Sequence, residues 1–127
     1  MTNVDIEAAL VPWLNTATSV RCVTELPANL SDVVPVIEIT RIGGADDVQS
    51  IDAATVDVTC YSGNRINARA LAYRVQGILR TQAPGAAVTG GVLLRVRTIS
   101  APSWQPYDDP NLRRFGATYQ IVTQSTA

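Results

Sequence analysis

The sequence predicts one α+β domain spanning 1–127: a mostly antiparallel sheet with two helices on one face, in the order α-β-β-β-α-β-β. Three observations predict it. Several segments alternate apolar and polar residues and follow one another through polar joins, as antiparallel strands do. Two other stretches repeat apolar residues at helical spacing. The chain has 127 residues, 46% hydrophobic and 17% charged, which suits one domain that buries a core without covalent staples.

Residues 3–16, "NVDIEAALVPWLNT", read as the first helix. Thr2 or Asn3 can cap it, Asp5 and Glu7 suit its positive end, and Ile6, Leu10, Trp13 and Leu14 share a face. Pro12 removes a backbone donor and should kink or shorten it. Residues 19–26, "SVRCVTEL", alternate as a strand, with Val20, Cys22 and Leu26 on one face and Arg21 and Glu25 on the other. A loop follows, then strands over 36–42 ("VIEITRI") and 54–61 ("ATVDVTCY"). In the latter Ala54, Val56, Val58 and Cys60 face the core, and Thr55, Asp57 and Thr59 face out.

The clearest helix is 64–82, with Asn64 as cap and Ala68, Leu71, Ala72, Val75, Ile78 and Leu79 as one apolar stripe. Its opposite side carries Arg65, Arg69, Gln76 and Arg80, and Pro84-Gly85 ends it. A turn at Gly90-Gly91 leads into "VLLRVRTI", where Val92, Leu94 and Val96 oppose Arg95 and Arg97. The connection "SAPSWQPYDDPN" precedes the last strand, "RRFGATYQIVT", which alternates Phe115, Ala117, Tyr119 and Ile121. The sheet face away from the helices should be polar, with Arg21, Glu25, Asp57, Thr59, Arg95 and Arg97 on it.

Composition excludes much chemistry. Net charge is −1, and all ten basic residues are arginine, with no lysine and no histidine. A near-neutral chain lacks the basic excess of a general nucleic-acid binder. Without histidine there is no Ser-His-Asp triad and no His-ligated zinc; without lysine there is no Schiff base and no P-loop lysine. Cys22 and Cys60 sit in strand patterns without a CxxC, and read as small buried core residues. The N-terminal stretch is acidic and helix-like, not a signal peptide, and no apolar run approaches a bilayer span, so synthesis in the cytosol with reduced thiols is expected.

One stretch resists the simple reading. "GGADDVQSIDA", residues 43–53, joins two strands with two glycines and three aspartates, whereas such joins usually take about 2–5 residues. It lacks the alternating aspartates of a calcium loop and the G-x-G-x-x-G of a dinucleotide fingerprint. Asp46, Asp47 and Asp52 could reach a magnesium ion. The other readings are a solvated connection and a loop that orders against a partner, and its length favours the last. It should be mobile in a free subunit, with Val48 and Ile51 as anchors. Arg65, Arg69 and Arg80 read as a solvated face or one paired with a neighbouring subunit. "WQPYDDPNLRR" reads as a rigid connection with aromatic anchors. Asp108 and Asp109 lack the partner that acid–base catalysis would need.

Taken together, "PVIEITRIGG…D", "VDVTCYS", the N/R-x-x-A-x-x-L-A-x-x-V-x-x-x-L helix, the Trp/Pro/Asp linker and "RRFGATYQIVT" give the chain a family likeness. It resembles the tail terminator (tail completion) proteins of long, non-contractile-tailed phages over nearly its whole length. The resemblance implies a structural virion protein with no catalytic residues, no cofactor and no metal. Such proteins form a hexameric ring on the last ring of tail-tube subunits, stop tube growth, and offer the surface on which the filled head docks. The implied partners are copies of the chain itself, the tail-tube protein and a head-completion or connector protein. DNA would pass through the ring without sequence-specific binding, and no membrane is involved. The implied location is the neck region of the virion tail, with assembly in the host cytoplasm. By motif, Gly43, Gly44 and the acidic loop match the family's hairpin loop, Arg65, Ala68 and Leu71 its second helix, and Asp108 and Arg114 its final linker and strand. The expected interface residues are Gly43, Gly44, Asp46, Asp47, Val48, Ile51, Arg65, Arg69, Arg80, Trp104, Tyr107, Asp108 and Arg114. Alternatives are another head–tail connector, a tail-tube subunit, or a small α+β nucleic-acid-binding module. The last would need exposed aromatics on the open sheet face.

Overall fold

The computed structural model describes residues 2–46 and 50–126. Helix α1 (Ile6–Thr18) leads into a short strand β1 (Arg21–Val23), a single-turn helix α2 (Leu30–Val33) and the hairpin β2 (Val36–Asp46) and β3 (Ile51–Ser62). Helix α3 (Arg65–Thr81) then crosses to the two-residue β4 (Ala87–Val88) and the long strands β5 (Gly91–Gln105) and β6 (Arg113–Ser125). The strands form one curled sheet in the order β1-β2-β3-β6-β5-β4. All neighbours are antiparallel except β1 and β2. This is the α+β architecture the sequence predicts, with α2 and β4 added.

Helix α1 starts later than its polar residues suggested. Asp5 is the cap, accepting from the Ala8 N–H at 3.2 Å, and the helix ends at Ser19 in the left-handed conformation. Pro12 lies inside without ending it, because Ile6, Leu10 and Leu14 anchor turns on both sides of it in the core. Asn64 caps α3 as expected, accepting from Asn67 N–H at 2.8 Å, and the predicted stripe from Ala68 to Leu79 is buried.

The main core lies between the sheet's inner face and the two long helices. It takes in Ala54, Val56, Val58 and Cys60 of β3 and Phe115, Ala117, Tyr119 and Ile121 of β6, as their alternation predicts. Four expectations need correction. In β5 the buried residue is Leu93, not Leu94, which is 38% exposed. The register shifts between Leu93 and Arg95, so a bulge at Leu94 throws its side chain outward while Val96 returns to the core side. The strand over 19–26 shrinks to three residues, and Leu26 joins a different cluster from Cys22. The outer face is not polar throughout: Leu30, Val36, Tyr61 and Leu112 form a second core there, with Tyr107 and Leu26 packed on it. Arg21, Glu25, Arg95 and Arg97 are exposed, but Asp57 and Thr59 are half-buried, and Asp57 accepts from the Thr118 hydroxyl at 2.6 Å. Lastly, residues 43–53 are mostly not a loop. Strands β2 and β3 run through them, pairing Gly43 to Asp46 with Thr55 to Asp52. Asp47 and Val48, two of the expected interface residues, lie outside the described residues.

Both cysteines are buried and free. Burial pushes the Cys22 thiol up to about 11, opposed by a hydrogen bond with Thr18, and the Cys60 thiol up to about 12, with proximity to Cys22 adding to it. The unfolded thiols titrate near 9.0. The stability held by these neutral thiols is therefore complete below pH 9 and is lost as pH rises towards 11 and 12. Native-state thiol labelling should be slow, rise steeply on unfolding, and report falling stability above pH 9. Rapid labelling of both cysteines in native buffer would contradict the strand phases.

Candidate functional site: two unlike sides of one subunit

The hairpin β2–β3 extends beyond the end of β1, which pairs only with Val36, Ile37 and Glu38. From Ile42 to Asp46 it is exposed on the β2 side. Its base is pinned by an ion pair. Arg41 donates to both Asp52 oxygens, at 2.5 and 2.9 Å, and its Nε donates to the Gly43 carbonyl at 2.9 Å. Asp52 is 1% exposed, so its two oxygens find their hydrogen-bond donors in that guanidinium rather than in water. The hydrogen bond with Asp52 in turn raises the Arg41 pKa. Asp52→Ala should cost about 2 kcal/mol in a urea melt, because it strands a charged donor. A neutral result would mean that water replaces the carboxylate.

Gly44 is obligatory at this base. Its φ is +104°, and a Cβ there would sit 2.1 Å from the Ala53 carbonyl oxygen on the paired strand. Ile51 is half-buried and pairs with Gln124 of β6. Among the described residues no cluster of three His, Cys, Asp or Glu could hold a metal ion. Asp52, weighed above as a magnesium ligand, is committed to Arg41.

The connection expected over residues 100–111 is shorter than its sequence suggests, because β5 runs on to Gln105; Trp104 in that strand and Tyr107 beyond it work within the subunit. Trp104 packs edge-on against Phe115 at 5.7 Å, and the Arg65 guanidinium lies 4.5 Å over the Trp104 ring. Tyr107 packs edge-on against Tyr61 at 5.5 Å, with Arg114 4.7 Å over its ring and bonded to the Pro106 carbonyl. These pairs tie the linker and α3 to the sheet. Asp108, Arg69 and Arg80 stay exposed.

On the outer side of α3 the structure brings together residues the helical pattern did not single out. Ile66 is 68% and Tyr73 52% exposed, with Ala70 between them and Gly77 beyond on one line, and Arg69, Arg74 and Arg80 around them. A shallow apolar groove of about 330 Å³, lined by Val20, Pro35, Ala70, Leu71 and Arg74, runs beside that line. The charges are divided along the chain. Nine of the eleven acids fall in residues 1–57, and no acid occurs between Asp57 and Asp108, where Arg65, Arg69, Arg74, Arg80, Arg95 and Arg97 lie. The acids of β2 and the arginines of β5 therefore lie on strands towards opposite edges of the sheet. That signal was present in the sequence, hidden by a net charge near zero.

The fold and surface define an α+β domain with two long helices on a curled sheet, a projecting hairpin, and acids and arginines concentrated on different elements. A family model described as phage tail termination protein matches residues 2–124, and the chain belongs to that family. No curated protein matches it. Its role is thus in phage tail termination, as a component of the virion tail.

Proposed function

We propose that this chain closes into a ring of six on the end of the tail tube, stops the tube growing, and presents the surface on which the head docks. The observation that carries this reading is the division of charge between elements, acids on α1 and β2 and arginines on α3 and β5, in a member of the tail termination family. Unlike, complementary patches are what a head-to-tail ring requires, since each copy must offer both halves of the joint. Arg69, Arg74 and Arg80, with Ile66 and Tyr73, form the basic half. The acids of α1 and the hairpin, Asp5, Glu7 and Asp46, form the acidic half.

The hairpin reaches towards the adjoining ring, and acids such as Asp46 facing the axial channel keep DNA from adhering by like-charge repulsion. The proposed partners are therefore other copies of the chain, the tail-tube protein and a head-completion or connector protein, with no enzymatic activity and no cofactor. Assembly takes place in the host cytoplasm. Electron microscopy of virions and of tails made without this protein is the test. A single ring between tube and head, and tubes of uncontrolled length in its absence, are expected. Repeated copies along the tube would make it a tube subunit instead.

A further inference from the structure

The sheet has two open edges, and they match. On β2, the main-chain groups beyond β1 are first covered by α1, where the Glu7 carboxylate accepts from the Arg41 N–H at 2.8 Å. From Ile42 to Asp46 no other described strand or helix covers the edge, and Ile42 is 54% exposed there. On β5, strand β4 pairs only with Gly91 and Val92, and the Ala86 carbonyl takes the Leu93 N–H. From Leu94 onward the edge is uncovered among the described residues, with Arg95, Arg97 and Ile99 exposed. Bare edges invite pairing with another chain and are usually blunted. Here a bulge lies between Arg41 and Gly43, to whose carbonyl the Arg41 Nε donates, and beyond it Gly44 and Ala45 carry no bulk that would keep a second backbone away.

The two edges also stand at one height. Following the pairing across the sheet, Ala45 lies level with Ala53, Val122 and Arg95, and Gly43 lies level with Thr55, Gln120 and Arg97. Strand β2 runs opposite to β3, β3 to β6 and β6 to β5, so β2 and β5 run in opposite directions. A copy moved sideways by rotation about an axis along the strands would set its β2 antiparallel to the β5 of its neighbour. Ala45 would then lie beside Arg95, and Gly43 beside Arg97.

We propose that copies of this chain join edge to edge, Ile42–Asp46 of one pairing with Leu94–Arg97 of the next, so that the sheet continues from subunit to subunit. This rests on the ring reading above and names the joint. The new hydrogen bonds satisfy main-chain groups on both edges, and the shared height and opposed directions of the two strands fix which edge meets which.

The test is a chain carrying both Ala45→Cys and Leu94→Cys, both exposed positions, examined in purified tails with a short bis-maleimide. A ladder of covalent oligomers ending at the ring size is expected, with neither single variant giving one. Ala45→Arg, which sets an arginine beside Arg95 of the neighbour, should abolish the ring, and adding Arg95→Asp should restore it. Circular dichroism of each variant separates loss of the joint from loss of the fold. Rings seen by microscopy without a ladder or charge rescue would overturn the edge joint and leave the ring reading intact. Tails whose parent protein forms no ring would overturn both.

Discussion

Leu79→Ala should cost about 2–5 kcal/mol, whereas Ile66→Ala on the same helix should change stability by less than about 0.5 kcal/mol. Leu79 is fully buried in the main core, where α3 lies across β3, β6 and β5. Removing its branch leaves a cavity bounded by two layers that cannot both relax. Against the roughly 5–15 kcal/mol of a typical domain, that loss is a large fraction, and the urea midpoint should fall accordingly. Ile66 is 68% exposed, so its truncation removes contact with water rather than with protein. The contrast matters for function. If Ile66→Ala and Tyr73→Ala leave the monomer intact but weaken assembly, the outer line of α3 serves a partner and not the fold. Equal costs at Leu79 and Ile66 would mean that α3 packs with a different face.

How much of this was legible depends on whether local pattern or strand register decides a residue's place. Helix α3 announces itself through one unbroken stripe and a cap at Asn64, both local features. Strands β3 and β6 alternate cleanly because each is central, with the helices on one side. Strand β5 does not: Val92, Leu94 and Val96 alternate as well as any strand, yet a bulge reverses the phase at Leu93. Nothing local marks a bulge when apolar residues stand on both sides of it. The hairpin was read as a loop because Gly43, Gly44 and three aspartates are poor strand formers. Glycine is accepted there since φ is positive at Gly44 and a Cβ would strike the paired strand. Asp52 is accepted because Arg41, eleven positions earlier, meets it across the register. That pairing becomes visible only once the strands are aligned. Leu26 went to the outer cluster because β1 is parallel to β2 and ends at Val23, so alternation stopped being a guide beyond it. At the interface, composition hid what order displays: a chain of net charge −1 keeps its acids and its arginines in different stretches.

The largest functional effect is expected from the hairpin tip. Replacing residues 47–51 with Asn-Gly would close the Asp46–Asp52 pair by a two-residue turn, a connection whose twist suits antiparallel strands. The replacement keeps Gly44 in its required conformation, the Arg41–Asp52 pair, and the exposed edge from Ile42 to Asp46. It removes Asp47, Val48 and Ile51, and it loses the bond from Ser125 N–H to the Ser50 carbonyl. The Ser125–Ser50 bond, the Ile51–Gln124 pairing at the start of β3 and one half-buried side chain amount to about 2–4 kcal/mol, so the protein should remain folded with a lowered urea midpoint. Phage carrying the variant should nevertheless build tubes of irregular length and leave filled heads unjoined. The reason is that Val48 and Ile51 are the large apolar residues of the tip, and a contact with the adjoining ring has little else there to bury. Rings may be scored separately in the same preparation: the retained edge should still let subunits join one another. Rings that form but do not seat on tubes would assign the tip to the tube contact. Tails of normal length on infectious particles would reduce the tip to a solvated connection between two strands.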